Sequence, residues 1–230
     1  MTHPRILVVL TSHDTLGDTG EKTGFWLEEF ASPYYVFRDA GADVTLASIA
    51  GGQPPIDPKS ALEEWQTDDT RRFDADADTT AALAATRAIA DLDAGDYDAI
   101  FFPGGHGPMW DYPGNNRLAR LIEAFDEEGK IIAAVCHGPV ALVDAKKRDG
   151  TPLVAGKRVS AFTNGEEAGV GLTDVVPFLL EDRLRDLGAV IENGTDFTSN
   201  VVTDGNLVTG QNPQSSADGA RGLLAALNAA

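Results

Sequence analysis

Cys136 is the only cysteine among the 230 residues, and it stands in Ala133-Ala-Val-Cys-His-Gly-Pro139, directly after an apolar run. A side chain held on a tight strand-to-helix turn projects into a pocket, and small neighbours let such a turn close. Gly138 fits that nucleophile-elbow pattern, while Ala134 replaces the glycine that usually precedes the nucleophile. Backbone N–H groups at the start of the following helix are expected to lower the thiol pKa and to stabilise a developing oxyanion. His137 supplies an imidazole that can take the thiol proton. Chain neighbours do not face each other on a helix, so a Cys136–His137 pair requires the strained turn itself. A free cysteine at a strand end is otherwise a small buried hydrophobe; the adjacent histidine and a second glycine-rich loop weigh toward chemistry.

That second loop is Pro103-Gly-Gly-His-Gly-Pro108. Its histidine, His106, divides between contacting a substrate and holding the loop by hydrogen bonds. His13 also follows a strand and is expected as a surface histidine; His3 is expected in a disordered terminus. No HxxxH or HxH spacing occurs, so no metal ligand set is predicted. Gly104-Gly105-His106-Gly107 is not GxGxxG and no Gly-Lys-Ser/Thr loop exists, so no nucleotide cofactor is predicted either. With one cysteine an internal disulfide is impossible, and thiolate-rich metal clusters are excluded.

The elements that must position these groups alternate. Arg5–Leu10 and Tyr97–Phe102 are unbroken apolar runs ending in polar or glycine-rich loops, as buried parallel strands are, and Lys130–Val135 delivers Cys136. Further strands are expected at 43–49 and 156–162, with a hairpin over 201–210 around Asp204-Gly205. Helices are expected at 25–40, 79–90, 117–128 and 215–227, with a short helical start after His137. Strands alternating with helices imply a mostly parallel sheet covered on both faces, with ligands beyond the carboxyl ends of its strands. The length suits a single α/β domain over 1–230 with a small surface excursion at about 51–78, polar apart from Trp65 and Phe73, which could equally form a flap over a pocket.

Thirty-six acidic residues against eighteen Lys and Arg give a net charge of −18. Such a surface repels phosphate backbones and offers no basic patch, which argues against nucleic-acid and anionic-membrane partners. No apolar stretch approaches the roughly 20 residues a bilayer span needs. The start of the chain lacks the pattern of a secretory leader, so a cytoplasmic protein is expected. Carboxylates dispersed along the chain further suggest a salt-rich cytosol, where counterions screen self-repulsion.

Lys22–Phe30, Ile56–Ser60, Phe101–Gly107, Asp111–Pro113, Ala134–Pro139, Phe162–Glu167, Val176–Asp182 and Val208–Pro213 together resemble the PfpI superfamily of glutamine-amidotransferase-like proteins. Within it they resemble the branch containing glyoxalase III and a heat-shock chaperone, over nearly the entire chain. The resemblance implies a flavodoxin-like α/β sandwich with a nucleophile elbow. It makes Cys136 the nucleophile, His137 its imidazole and Glu29 a carboxylate approaching the thiol from the first helix. Glu167 is the acidic third member, with Glu166 the alternative one position away; Gly105 matches an oxyanion-hole glycine and His106 a pocket histidine. The implied activity is cofactor-free, glutathione-independent conversion of methylglyoxal, a small 2-oxoaldehyde, to D-lactate through a hemithioacetal on Cys136, in a homodimer. A stress-induced holdase chaperone, or a deglycase or peptidase using the same thiol, is the alternative. From spacing alone, Glu29 and Glu167 are indistinguishable from surface carboxylates.

Overall fold

The computed structural model describes residues 3–229. Nine strands appear in chain order: β1 (Arg5–Leu10), β2 (Asp43–Ser48), β3 (Arg87–Ala88), β4 (Ala99–Phe102), β5 (Ile131–Val135), β6 (Arg158–Val159), β7 (Val190–Ile191), β8 (Val201–Asp204) and β9 (Leu207–Gly210). The helices are α1 (Leu27–Asp39), α2 (Asp68–Ala75), α3 (Ala77–Ala84), α4 (Pro108–Asp111), α5 (Asn116–Glu127), α6 (Asn164–Gly169), α7 (Leu180–Asp186) and α8 (Ser216–Ala229).

Seven strands form one sheet in the order β3-β2-β1-β4-β5-β9-β8, parallel except for the β8–β9 hairpin. Its strands are apolar without interruption because both faces are covered. Alternate residues serve opposite cores: Leu7, Val9, Ile100, Phe102 and Ile132 pack with α5 and α7, whereas Ile6, Val8, Phe101, Ala133 and Val135 pack with α1 and α8. Strand order reverses between β1 and β4, the switch point at which loops diverge and leave a crevice. Register places Phe102 beside Ala134, so the loop after β4 and the turn after β5 emerge together.

Two expected elements differ. The helix expected over 79–90 spans only Ala77–Ala84. Thr86 and Gly52 exchange backbone hydrogen bonds, and Arg87–Ala88 then pairs with the free edge of β2, so sheet pairing overrides the helical propensity of the alanines. The strand expected over 156–162 is reduced to Arg158–Val159 and joins β7 in a separate two-stranded sheet. Beyond it the backbone bonds side chains instead of a ladder: Ser160 N–H donates to Thr209 Oγ1 (2.8 Å) and Ala161 N–H to Asn193 Oδ1 (3.2 Å). The excursion at 51–78 holds two 3-10 turns and α2, and Ser60 Oγ accepts the Leu27 N–H (3.0 Å), capping α1. His3, expected to be disordered, meets the Gly41 carbonyl through Nδ1 at 2.6 Å. Among the described residues no helix is long and apolar enough to cross a membrane.

Candidate active site

β5 ends at Val135 and the chain turns sharply at Cys136, whose φ of 59° lies in the left-handed region that side chains rarely occupy. The turn is held by the Cys136 N–H donating to the Gly210 carbonyl (2.9 Å) and the Cys136 carbonyl accepting from Phe162 (3.0 Å). A Cβ on Gly138 would stand 2.2 Å from the Phe102 carbonyl oxygen, which is why glycine follows the histidine. This turn swings His137 back so that its Nδ1 lies 3.4 Å from Cys136 Sγ.

His137 Nε2 is 2.7 Å from Glu167 Oε2, completing a Cys136–His137–Glu167 chain. The other oxygen of the same carboxylate, Oε1, is 2.8 Å from His106 Nε2, so one carboxylate serves two imidazoles. Burial pushes Glu167 up, but the charges and hydrogen bonds of His137 and His106 outweigh it and hold the carboxyl well below the usual range. Burial, and then the neighbouring His106, push His137 down, so its neutral, proton-accepting form prevails at neutral pH.

Glu166, the alternative in sequence, faces away from the thiol. Fully buried, it accepts the N–H of Phe197 (2.7 Å) and the side-chain amides of Gln211 (3.1 Å) and Asn212 (2.7 Å) on Oε1, and the Thr163 N–H (2.9 Å) on Oε2. Thr163 and Glu166 form a reciprocal capping box at the start of α6. The pattern Thr-x-x-Glu is present in the sequence and is the signal that separates the two glutamates.

Glu29 lies in the first turn of α1, wholly buried against the Cys136 thiol. Its Oε2 accepts the Gly104 N–H (2.7 Å), while Oε1 is buried without a hydrogen-bond partner. Burial raises this carboxyl from 4.5 to about 8, so at neutral pH it is protonated. The thiol also goes up, through burial and then the negative charge Glu29 carries when ionised, against the partial relief of the Gly105 N–H. The expectation of a lowered thiol pKa is therefore corrected: desolvation in a closed pocket outweighs the helix-start N–H groups. Among the described residues the N–H groups of Gly105 and His137 have no protein oxygen to bond, and Gly105 points its N–H at the sulfur. Two unpartnered donors beside a nucleophile are what an oxyanion requires. At Gly105, φ is +87° and a Cβ would meet backbone at 2.5 Å, so only glycine brings this N–H to the thiol.

A cavity of about 80 Å³ stands over the thiol, walled by Trp26, Trp65, Phe162, Val170 and Phe197. The excursion that could form a flap over a pocket does bring Trp65 to this cavity, and Phe162 heads the Phe162–Glu167 segment, whereas Trp26, Val170 and Phe197 share no motif that would have marked them as walls. The excursion places Trp65 at the rim, edge-on to Trp26 with ring centroids 5.4 Å apart. A larger depression of about 850 Å³ lies beside Arg5, Arg38 and Asp98, but it is more open to solvent and does not reach Cys136. His13 stacks on Trp110 at 5.3 Å, outside the cavity.

His106, His137 and Glu167 bring one ligand-competent atom each within 4.8 Å of one another, a convergence that spacing along the chain could not reveal. The hydrogen bonds between them already occupy both carboxylate oxygens.

The family model for the DJ-1/PfpI family matches residues 22–226. Glyoxalase 3 of Candida albicans is 33% identical over 96% of this chain and 98% of its own length. A glutathione-independent glyoxalase of Saccharomyces cerevisiae is 32% identical over 94% of each chain. Among solved structures, the 24 kDa rapid encystment protein of Francisella tularensis superposes with a TM-score of 0.93 at 39% identity, covering 97% of this chain and 99% of that one. The crystal structure of glyoxalase III from Candida albicans gives 0.90 at 31% identity, covering 97% of each. With its mostly parallel sheet, its elbow at Cys136 and a family match spanning most of its length, the chain belongs to the DJ-1/PfpI family.

Proposed function

We propose that this protein is a glutathione-independent glyoxalase that converts methylglyoxal to D-lactate without a cofactor. The observation that carries the reading is the meeting, in one small cavity, of the Cys136 thiol, the His137 imidazole at 3.4 Å and a buried Glu29 with an unpartnered oxygen. The names of the relatives support the same activity.

The Cys136 sulfur bonds to the aldehyde carbon while its proton passes through His137 to the former carbonyl oxygen, which the Gly105 and His137 N–H groups stabilise as an oxyanion. The product is a hemithioacetal. Ionised Glu29 takes the proton from its carbon, giving an enediolate, and returns it to the neighbouring carbon while the hydroxyl proton moves to the neighbouring oxygen. The result is a lactoyl thioester on Cys136, which water cleaves to lactate and free thiol. Glu167 orients His137, and His106 and Gly105 line the substrate space. Amide chemistry on a peptide or glycated side chain suits the site less well, because about 80 Å³ accommodates a three-carbon aldehyde and not a polypeptide strand. The reading places the enzyme in the cytoplasm as a homodimer, in line with its acidic composition and the default symmetry of small enzymes.

The test is methylglyoxal loss together with lactate formation, without glutathione and across a range of potassium chloride concentrations. Wild type is run beside Cys136→Ala and Glu29→Gln. Activity in wild type and its loss in both variants is the expected outcome. Folded wild-type protein that forms no lactate at any salt concentration overturns the reading.

A further inference from the structure

We infer that His106 is a second catalytic base, acting after His137, that activates the water which cleaves the lactoyl thioester from Cys136. The inference rests on the glyoxalase reading and concerns its final step. Glu167 binds both imidazoles through their Nε2 atoms, at 2.8 Å for His106 and 2.7 Å for His137. A carboxylate that accepts from both fixes both rings with hydrogen on Nε2 and a lone pair on Nδ1. The His137 lone pair faces the sulfur at 3.4 Å, which suits it to the thiol proton. His106 Nδ1 has no protein hydrogen-bond partner among the described residues, and its ring lines the cavity.

Solvent access separates the two rings. The His137 side chain is sealed, with 0% exposed, whereas His106 keeps 11%, so His106 is the imidazole that an entering water can meet. The rings lie 4.2 Å apart, and a charge on His106 disfavours a proton on His137, so the two act in turn. In the step itself, a water oxygen bonds to the thioester carbon and one water proton goes to His106 Nδ1. The C–S bond then breaks and its electron pair stays on sulfur. The proton of the newly formed carboxylic acid passes to that sulfur, lactate leaves as the anion, and His106 returns its proton to solvent. Glu167 steadies the transient imidazolium without itself being protonated.

His106→Gln tests this, since the glutamine amide can still donate to Glu167 while no base remains at the position of Nδ1. After rapid mixing with methylglyoxal, the variant is expected to form the covalent adduct at the wild-type rate and release lactate about 10²-fold more slowly, the usual worth of a general base. Intact-mass measurement after acid quench should then find protein heavier by one methylglyoxal. That adduct should survive removal of free aldehyde, as a thioester does and a hemithioacetal does not. Slow turnover without a persistent adduct overturns the inference, because it marks His106 as merely positioning Glu167; so does unimpaired turnover. Wild type that forms no lactate overturns the glyoxalase reading and this step with it. Should the glutamine variant fail to fold, His106→Asn is read in the same way.

Discussion

Glu29 Oε2 accepts the Gly104 N–H at 2.7 Å, the one backbone hydrogen bond this wholly buried carboxyl receives among the described residues, beside the Cys136 thiol. The thiol and the N–H together do not offset desolvation, and the group is raised from 4.5 to about 8. The unfolded chain ionises this carboxyl above pH 4.5, whereas the native state keeps the proton until about pH 8. Stability is therefore lost as pH rises through that window, on the order of 5 kcal/mol at about 1.4 kcal/mol per unit. Glu28, raised to about 7, and Asp111, raised to about 6, act in the same direction. The difference between wild type and Glu29→Gln isolates the Glu29 share: the variant should gain stability on wild type between pH 5 and pH 8, as measured by denaturant midpoints. Parallel curves would show that Glu29 is ionised throughout.

Activity should carry the same signature with the opposite slope. Only ionised Glu29 can take the carbon-bound proton, so kcat/KM for methylglyoxal should climb toward a limb near pH 8. Glu29→Gln should lose about 10²-fold to 10⁴-fold and show no such limb.

Glu166 and Glu167 are neighbours with separate tasks, and substitution should separate them. Glu166 Oε1 receives three donors, so an amide in its place leaves buried N–H groups facing one another. Glu166→Gln should cost roughly 2 to 4 kcal/mol in stability and act on KM through the Phe197 wall. Glu167→Gln should chiefly lower kcat, by misorienting His137. Its pKa, held down in the native state, contributes stability that is complete above about pH 4.5 and lost in more acid solution, so this variant should show a flatter acid limb. Equal effects of the two substitutions on kcat would refute this division.

The sheet and the elbow were legible in the sequence because local pattern decides them: apolar runs too continuous for anything but buried parallel strands, and small residues around one cysteine. The helix that ends at Ala84 was not, because the free edge of β2 captures Arg87–Ala88 and no local signal announces a distant edge. The pairing of Glu167 with His106 joins residues 61 apart and depends on how the loop after β4 meets α6. The direction of the thiol pKa was misjudged for a related reason: helix-start N–H groups are visible in a sequence, and the burial that outweighs them is not. The choice between Glu166 and Glu167 was available in the Thr163-x-x-Glu166 capping pattern.

Ion pairs on this surface are mostly exposed; in Arg71–Glu63, for example, the side chains are 51% and 88% accessible, and such pairs contribute little. Self-repulsion from a net charge of −18 is the larger electrostatic effect. The thermal midpoint should therefore rise as potassium chloride is raised from dilute buffer toward molar concentration, because screening relieves the repulsion. A midpoint that falls with salt would mark an ordinary acidic protein whose exposed pairs matter more than its net charge.

The elbow tolerates alanine on one side of the nucleophile and should reject it on the other. Ala134 sits in β5 with its Cβ packed in the core, and Ala134→Gly should cost about 1 kcal/mol, the usual penalty of glycine within a strand, with activity kept. Gly138→Ala is different in kind. The new Cβ would lie 2.2 Å from the Phe102 carbonyl oxygen, a backbone atom of β4 whose position is fixed by the ladder to β5. No side chain can swing aside to make room, so the 3-10 turn Gly138–Leu142 must shift, and it carries His137 and the oxyanion N–H with it. The expected result is a loss of several kcal/mol in stability. Lactate formation should be abolished even in protein that remains folded at low temperature. Circular dichroism and turnover on the same sample check this: a folded Gly138→Ala variant with normal activity would mean that the turn can relax without moving the Cys136–His137 pair.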